Sequence, residues 1–202
     1  MSEVMSVDIF VEDRAHEAFM TALLRRLATE ANRMIRLRTR TARGGHGRVL
    51  SELSLYQRSA LKQLGGMAIP DFLVVATDAN CASHQKASRD VQAELLPSFA
   101  DRAVIACPDP HVESWYLADL DSFAQVVGIR PRVSAGKCER DYYKRVLAKA
   151  VVDAGHPPTL GGIEFAFDIV AQMDFYRAGR SHHSLRHVVD QTRKRLTAAG
   201  EC

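Results

Sequence analysis

Residues 7–30, VDIFVEDRAHEAFMTALLRRLATE, carry two hydrophobic periods in succession. Val7 to Val11, apolar except for Asp8, reads as a short buried strand ending at Glu12-Asp13. Ala18, Phe19, Ala22, Leu23 and Leu27 then recur at steps of three and four, which makes an amphipathic helix to about Glu30. A strand feeding directly into a helix is the repeating unit of a parallel α/β sheet.

The unit recurs downstream. Met34 to Arg40 alternates, with Ile35 and Leu37 on one face and Arg36, Arg38 and Arg40 on the other, as in a half-buried strand. Thr41 to Gly47 is glycine-rich and reads as a loop. Val49, Leu53, Tyr56, Ala60 and Leu64 mark a second helix, stopped by Gly65-Gly66. Phe72 to Thr77 is the β-rich apolar run expected of a central parallel strand. A helix over Lys86 to Leu96 and a strand over Arg102 to Ala106 complete the pattern. Beyond Cys107 the chain is mostly helical, with segments at His111–Ala118, Asp121–Val127, Glu139–Asp153, Ile163–Met173 and Leu185–Ala198. The expectation is one domain: an α/β core over residues 1–122 that carries the acidic site, and a helical portion over residues 123–202.

Composition agrees with a single domain. The chain has 202 residues, 47% hydrophobic and 25% charged, which excludes disordered, collagen-like and coiled-coil chains. Its apolar runs are far short of the ~20 residues of a membrane span, and MSEVMSVDIFVED has acids where a signal peptide carries Lys and Arg. A cytoplasmic protein without a membrane partner is expected. Cys81, Cys107, Cys138 and Cys202 show neither a CxxC nor a pairing pattern, so disulfides and a zinc knuckle are not expected. The net charge of +3 permits a polyanionic partner without demanding one.

Ligands of open α/β sheets bind outside the carboxyl ends of the strands. There the first strand ends in Glu12-Asp13, the third in Asp78-Ala79-Asn80, and the fourth runs into Cys107-Pro-Asp-Pro-His-Val-Glu113. Bunched carboxylates repel one another unless a cation neutralises them, and oxygen donors of this kind hold Mg²⁺ or Mn²⁺. The competing reading is that strand-to-helix turns favour Asp and Asn as helix caps.

Three segments carry a resemblance. VEDRAHEAF (Val11 to Phe19) resembles the opening Toprim motif, an apolar strand followed by VEG-x-x-x-E-x-F. ATDAN (Ala76 to Asn80) sits where that fold carries Asp-x-Asp. ACPDPHVESWYLAD (Ala106 to Asp119) is similar to the Pro-x-x-Glu-x-Trp-x-x-Ala-Asp signature of small Toprim-like proteins of the DUF4276 and overcoming-lysogenization-defect groups, which are linked to phage defence. The resemblance implies a Toprim-like, mostly parallel sheet and metal-assisted cleavage of a phosphodiester, with two ions ~3.5–4 Å apart. It makes Glu12 a metal ligand or acid–base group and Asp78 a ligand, with Glu113 beside them. Glu17, matching the second acid of the first motif, is implied as a further catalytic acid, and Asp119, matching an acid of the third, as a metal ligand, both placed outside the inner ligands. Asn80 replaces the second Asp as a metal ligand, giving a neutral oxygen but removing one charge from a second ion, and Asp13 replaces a glycine and puts a side chain in that turn. Lys137 is the candidate cation for the transition state, with Lys86 in reserve. An ATPase partner is also implied.

Arg33, Arg36, Arg38, Arg40, Arg43 and Arg48 crowd one strand and the glycine loop, and arginine forks match phosphates. Arg36, Arg38, Arg40, Arg43 and Arg48 are the candidate contact to DNA or RNA, a transfer RNA among them; a solvated strand face is the alternative. Lys137, Arg140, Lys144, Arg145 and Lys149 recur on one helix but are balanced by Glu139 and Asp141, and read as a solvated face. His183 and His187 are i, i+4 without the Glu of HExxH, and read as surface. His111 reads as a cap, Trp115 as core, and Cys81 and Cys107 as buried fillers. Two functions are carried forward: a metal-dependent nuclease, and a Toprim-fold binding subunit with a weakened site, which Asn80 favours. A nucleotide-binding or phosphatase-like domain lacks its GxGxxG or GxxxxGK[ST] loop.

Overall fold

Strand β1 (Met5–Val11) passes into helix α1 (Arg14–Glu30) through Glu12 and Asp13 alone. The carboxylate of Asp13 caps α1, accepting the His16 N–H at 3.0 Å. Its backbone is extended (φ −153°), so the side chain in place of glycine costs no backbone strain. The computed structural model describes residues 4–42, 46–134, 139, 141–157 and 159–198. Within them, β2 (Ile35–Thr41), β3 (Phe72–Ala76) and β4 (Ala103–Ala106) join β1 in one all-parallel sheet of order β2-β1-β3-β4.

Alternate residues of the strands feed two cores. Val7, Ile9 and Val11 of β1, with Val74, Ala76 and Val104, pack under α1 and under the C-terminal helices α5 (Val112–Tyr116), α7 (Tyr142–Asp153), α8 (Ala166–Gln172) and α10 (His183–Ala198), which contribute Trp115, Leu147, Val170 and Val188. Phe10, Leu73, Val75 and Ile105 face the other way, toward α2 (His46–Leu61), α3 (His84–Ala93) and α4 (Pro97–Ala100). The helical C-terminal portion therefore shares the main core of the sheet. Trp115 is fully buried, with its ring 5.5 Å from Phe19 and its Nε1–H donating to Ser184 at 3.0 Å. An aromatic side chain of this size contributes about 4–6 kcal/mol by area alone.

Boundaries shift where local chemistry outweighs composition. Thr41 closes β2 and His46 opens α2, which shortens the glycine loop from both sides. Helix α2 stops at Leu61, ahead of a 3-10 turn at Leu64–Gly66 whose glycines have φ of 59° and 72°. Helix α6 spans Leu120–Val127. Two short helices were not expected from periodicity: α4, opened by Pro97, and α9 (Phe175–Ser181), capped by the Asp174 carboxylate on the N–H groups of Tyr176 and Arg177.

Candidate metal centre

In the order β2-β1-β3-β4 the chain leaves β1 for one neighbour, β2, then crosses back to the other, β3. The switch point lies between β1 and β3, where the diverging crossovers leave a crevice at the carboxyl ends. Glu12 follows β1 and Asp78 follows β3 by one residue beyond Thr77. The Glu12 N–H donates to the Ala76 carbonyl at 3.1 Å, extending the sheet ladder to the acid itself.

Backbone and side-chain donors hold both carboxylates. Glu12 Oε2 accepts from Thr77 Oγ1 at 2.7 Å and from the Asp78 N–H at 3.1 Å. Asp78 Oδ1 accepts the Val112 N–H at 2.9 Å, and Oδ2 lies 3.1 Å from His111 Nδ1. His16, on the first turn of α1, is fully buried between two acids. Its Nδ1 is 2.8 Å from Asp13 Oδ1, and its Nε2 is 3.0 Å from Asp78 Oδ1. The second contact is an ion pair not aligned as a hydrogen bond, so among the described residues Nε2 has no hydrogen-bond partner. One donor atom from each of Glu12, His16 and Asp78 lies within 4.8 Å of the other two, and this group could bind a metal ion.

The centre is electrostatically coupled. Burial alone would push the His16 imidazole down, but the Asp78 charge and the hydrogen bond to Asp13 outweigh it and hold the pKa at about 10. Burial likewise pushes Asp78 up, and the His16 charge with the His111 bond overrides it, giving about 2. His111 is raised by its bond to Asp78. Glu113 is raised by burial first and then by the charges of Asp78 and Asp13. Without a metal ion, the imidazolium of His16 is the cation that lets the acids share this space.

A cleft of about 850 Å³ opens beside Glu12. Glu12, Asp13, Glu17 and Glu113 line one side, and Arg14 and Lys144 bring positive charge to it. Ala15, Thr41, Leu160, Gly161 and Ile163 complete the lining. Its stretch over 160–163 depends on Gly162, at φ 100°, where a Cβ would meet Leu147 Cγ of α7 at 2.7 Å. The C-terminal portion thus contributes Lys144, Leu160, Gly161 and Ile163 to the cleft.

Other expected site residues stand elsewhere or have other work. Asn80 is exposed in a left-handed turn (φ 54°), where its amide donates to the Asp78 carbonyl at 3.3 Å. Asp119 caps α6 and is 3% exposed. It accepts from Ser122 Oγ at 2.6 Å, the Asp174 N–H at 2.9 Å, and Arg177 at 2.9 and 3.2 Å. With burial opposed by Arg177 and these donors, its pKa falls to about 2. Asp119→Ala is expected to cost about 3 kcal/mol in urea unfolding, from donors left unpaired, while leaving metal affinity by calorimetry unchanged. A folded variant that loses metal binding would return Asp119 to the centre.

Lys137 and Arg43 lie outside the described residues. Lys86 pairs with Asp90 on its own helix at 3.0 Å, whereas Lys144 reaches the cleft. The arginine face of β2 is not a bare solvated stripe. Asp8 is in register with Arg38 and meets it at 2.6 Å, Tyr56 O–H donates to Asp8 at 2.6 Å, and the Arg40 guanidinium lies 5.2 Å from the Tyr56 ring centre. Arg48 pairs with Glu52 at 2.8 Å, and Arg36 is exposed. Cys107 is buried as expected, but Cys81 is exposed. His111 sits at the start of α5 without capping it through its side chain, and instead holds Asp78.

His16 is the residue that sequence reasoning missed. The available signal was Asp13-x-x-His16 at a helix start, where the third helical position faces back toward the cap. No family model matches the chain, and neither a curated protein nor a solved structure is significantly similar to it.

Proposed function

We propose that this protein hydrolyses phosphodiester bonds of nucleic acid with a divalent ion, Mg²⁺ or Mn²⁺, held by Glu12 and Asp78. The observation that carries the reading is their convergence at the β1/β3 switch point, beside a cleft that offers both acids and cations. Such an ion, when bound, supplies Lewis acidity and a nucleophilic water near neutral pH. Thr77 and the Asp78 N–H orient Glu12, and the Val112 N–H orients Asp78. Glu113, raised by burial and neighbouring charge, keeps its proton longer than an ordinary carboxyl and is the group to deliver it to the leaving oxygen. Lys144 and Arg14 bind the phosphate. The resemblance adds an ATPase partner and a role in phage defence.

The test is cleavage of plasmid DNA, single-stranded DNA and transfer RNA by the purified protein with Mg²⁺ or Mn²⁺, abolished by EDTA. Lys144→Met is expected to lower kcat/KM about 10–100-fold, chiefly through KM, as for loss of a charged hydrogen bond. Unchanged cleavage by that variant would remove Lys144 from the substrate path.

A binding subunit is the second reading, favoured by the buried His16 charge that neutralises the acids without metal. Nucleic acid retained by Glu12→Gln in EDTA, with cleavage absent under every condition, would select it.

A further inference from the structure

We infer that His16 Nε2 is a metal ligand, that Asp13 sets the imidazole tautomer for it, and that the centre therefore takes a first-row transition ion such as Mn²⁺ in preference to Mg²⁺. The inference deepens the metal-dependent reading above and rests on it for the presence of an ion.

Three observations lead here. His16 has 0% exposure, so neither ring nitrogen has water to fall back on. Nδ1 is served by Asp13 Oδ1 at 2.8 Å, and the same carboxylate accepts the His16 N–H at 3.0 Å, so cap and ring hold one another through the main chain. Nε2 is left with carboxylate oxygens around it and no aligned hydrogen bond to any of them. In the metal-free protein the Asp78 charge, 3.0 Å away, answers a protonated Nε2 without an aligned hydrogen bond, an incomplete satisfaction that calls for a physical explanation. A bound ion would take the place of the Nε2 proton: with the remaining proton on Nδ1, the Nε2 lone pair and Asp78 Oδ1, 3.0 Å apart, would both face that cation.

The arrangement of carboxylate, histidine and metal is the usual way a protein fixes the tautomer and orientation of a ligating imidazole. Here the carboxylate is a helix cap, so the tautomer is set by the same residue that starts α1. The donor set is then one imidazole nitrogen with two carboxylates. Mg²⁺ prefers oxygen throughout and gives up its water reluctantly, whereas Mn²⁺, Fe²⁺ and Zn²⁺ accept imidazole readily. Glu12 and Asp78 alone would favour neither class; His16 supplies the preference.

The experiment is calorimetric titration of the metal-free full-length chain with Mn²⁺ and, separately, Mg²⁺, together with pulsed electron paramagnetic resonance of the Mn²⁺-loaded protein. Mn²⁺ is expected to bind at least about tenfold more tightly than Mg²⁺, and the spin echo to carry modulation from a directly bound ¹⁴N. His16→Gln removes that modulation and narrows the Mn²⁺/Mg²⁺ ratio. Asp13→Asn keeps a good helix cap and the imidazole, and is expected to weaken Mn²⁺ by about 10–100-fold. Its modest effect on folding keeps the test decisive if His16→Gln does not fold. Equal affinity for the two ions, or bound Mn²⁺ without nitrogen modulation, overturns the inference even if nucleic acid is cleaved. Nitrogen-bound Mn²⁺ with no cleavage sustains it and sinks the hydrolytic reading instead.

Discussion

Glu12→Gln is expected to lower phosphodiester cleavage by about 10²–10³-fold, the several kcal/mol that a bound ion contributes to a charged transition state. Glutamine keeps a carbonyl oxygen to accept from Thr77 and the Asp78 N–H, which now hold Glu12 at 2.7 and 3.1 Å. The fold should therefore survive, with unfolding within about 1 kcal/mol of the parent. What disappears is a negative charge at the end of β1, the donor nearest the cleft. Cleavage at the parent rate by a folded Glu12→Gln protein would sink the hydrolytic assignment.

Asp78→Ala acts on stability as well as on metal binding. Asp78 is hydrogen-bonded by the Val112 N–H and His111 and lies 3.0 Å from the fully buried His16. Removing one member of such a buried charged group leaves the others uncompensated and costs about 3–5 kcal/mol. The pH profile of the metal-free protein carries a second signature. His16 titrates at about 10 folded against 6.5 unfolded, so its contribution is complete below 6.5 and is lost as pH rises toward 10. Asp78 titrates at about 2 folded against 3.8 unfolded, so its contribution is present above 3.8 and is lost as pH falls through 2. Urea unfolding from pH 2 to 10 should show greatest stability between these windows. Asp78→Ala should flatten both limbs, because the Asp78 charge is what chiefly holds the His16 proton. A variant with the parent's alkaline limb would show that the ion pair does not form in solution.

The α/β class, the strand-to-helix order and the burial of Trp115 were legible because each rests on local periodicity. A mainly apolar, β-rich run of five with an acid just beyond it, as at Val7–Val11 before Glu12 and at Phe72–Ala76 before Thr77-Asp78, signals a buried strand whatever its neighbours do. Two of the acids at the proposed centre, Glu12 and Asp78, follow from the same logic, since they stand at strand ends in any arrangement of the sheet. Short elements escaped: α4 and α9 span too little chain to show a period, and their starts are written in single residues, Pro97 and Asp174.

By itself, then, the sequence determined the four strands, the longer helices, and that Glu12 and Asp78 stand at the carboxyl edge. Only the tertiary structure decided which strand ends are neighbours, and with that the centre. The order β2-β1-β3-β4 sets Glu12 beside Asp78 and closes His16 between them. It also pairs Asp8 with Arg38 and, through the helical C-terminal portion, Asp119 with Arg177, turning expected ligands and nucleic-acid contacts into internal ion pairs. The reason is physical. Hydrophobic periodicity is a property of adjacent residues, whereas Coulomb energy depends on distance through space, and residues 119 and 177 acquire theirs only when the chain has folded.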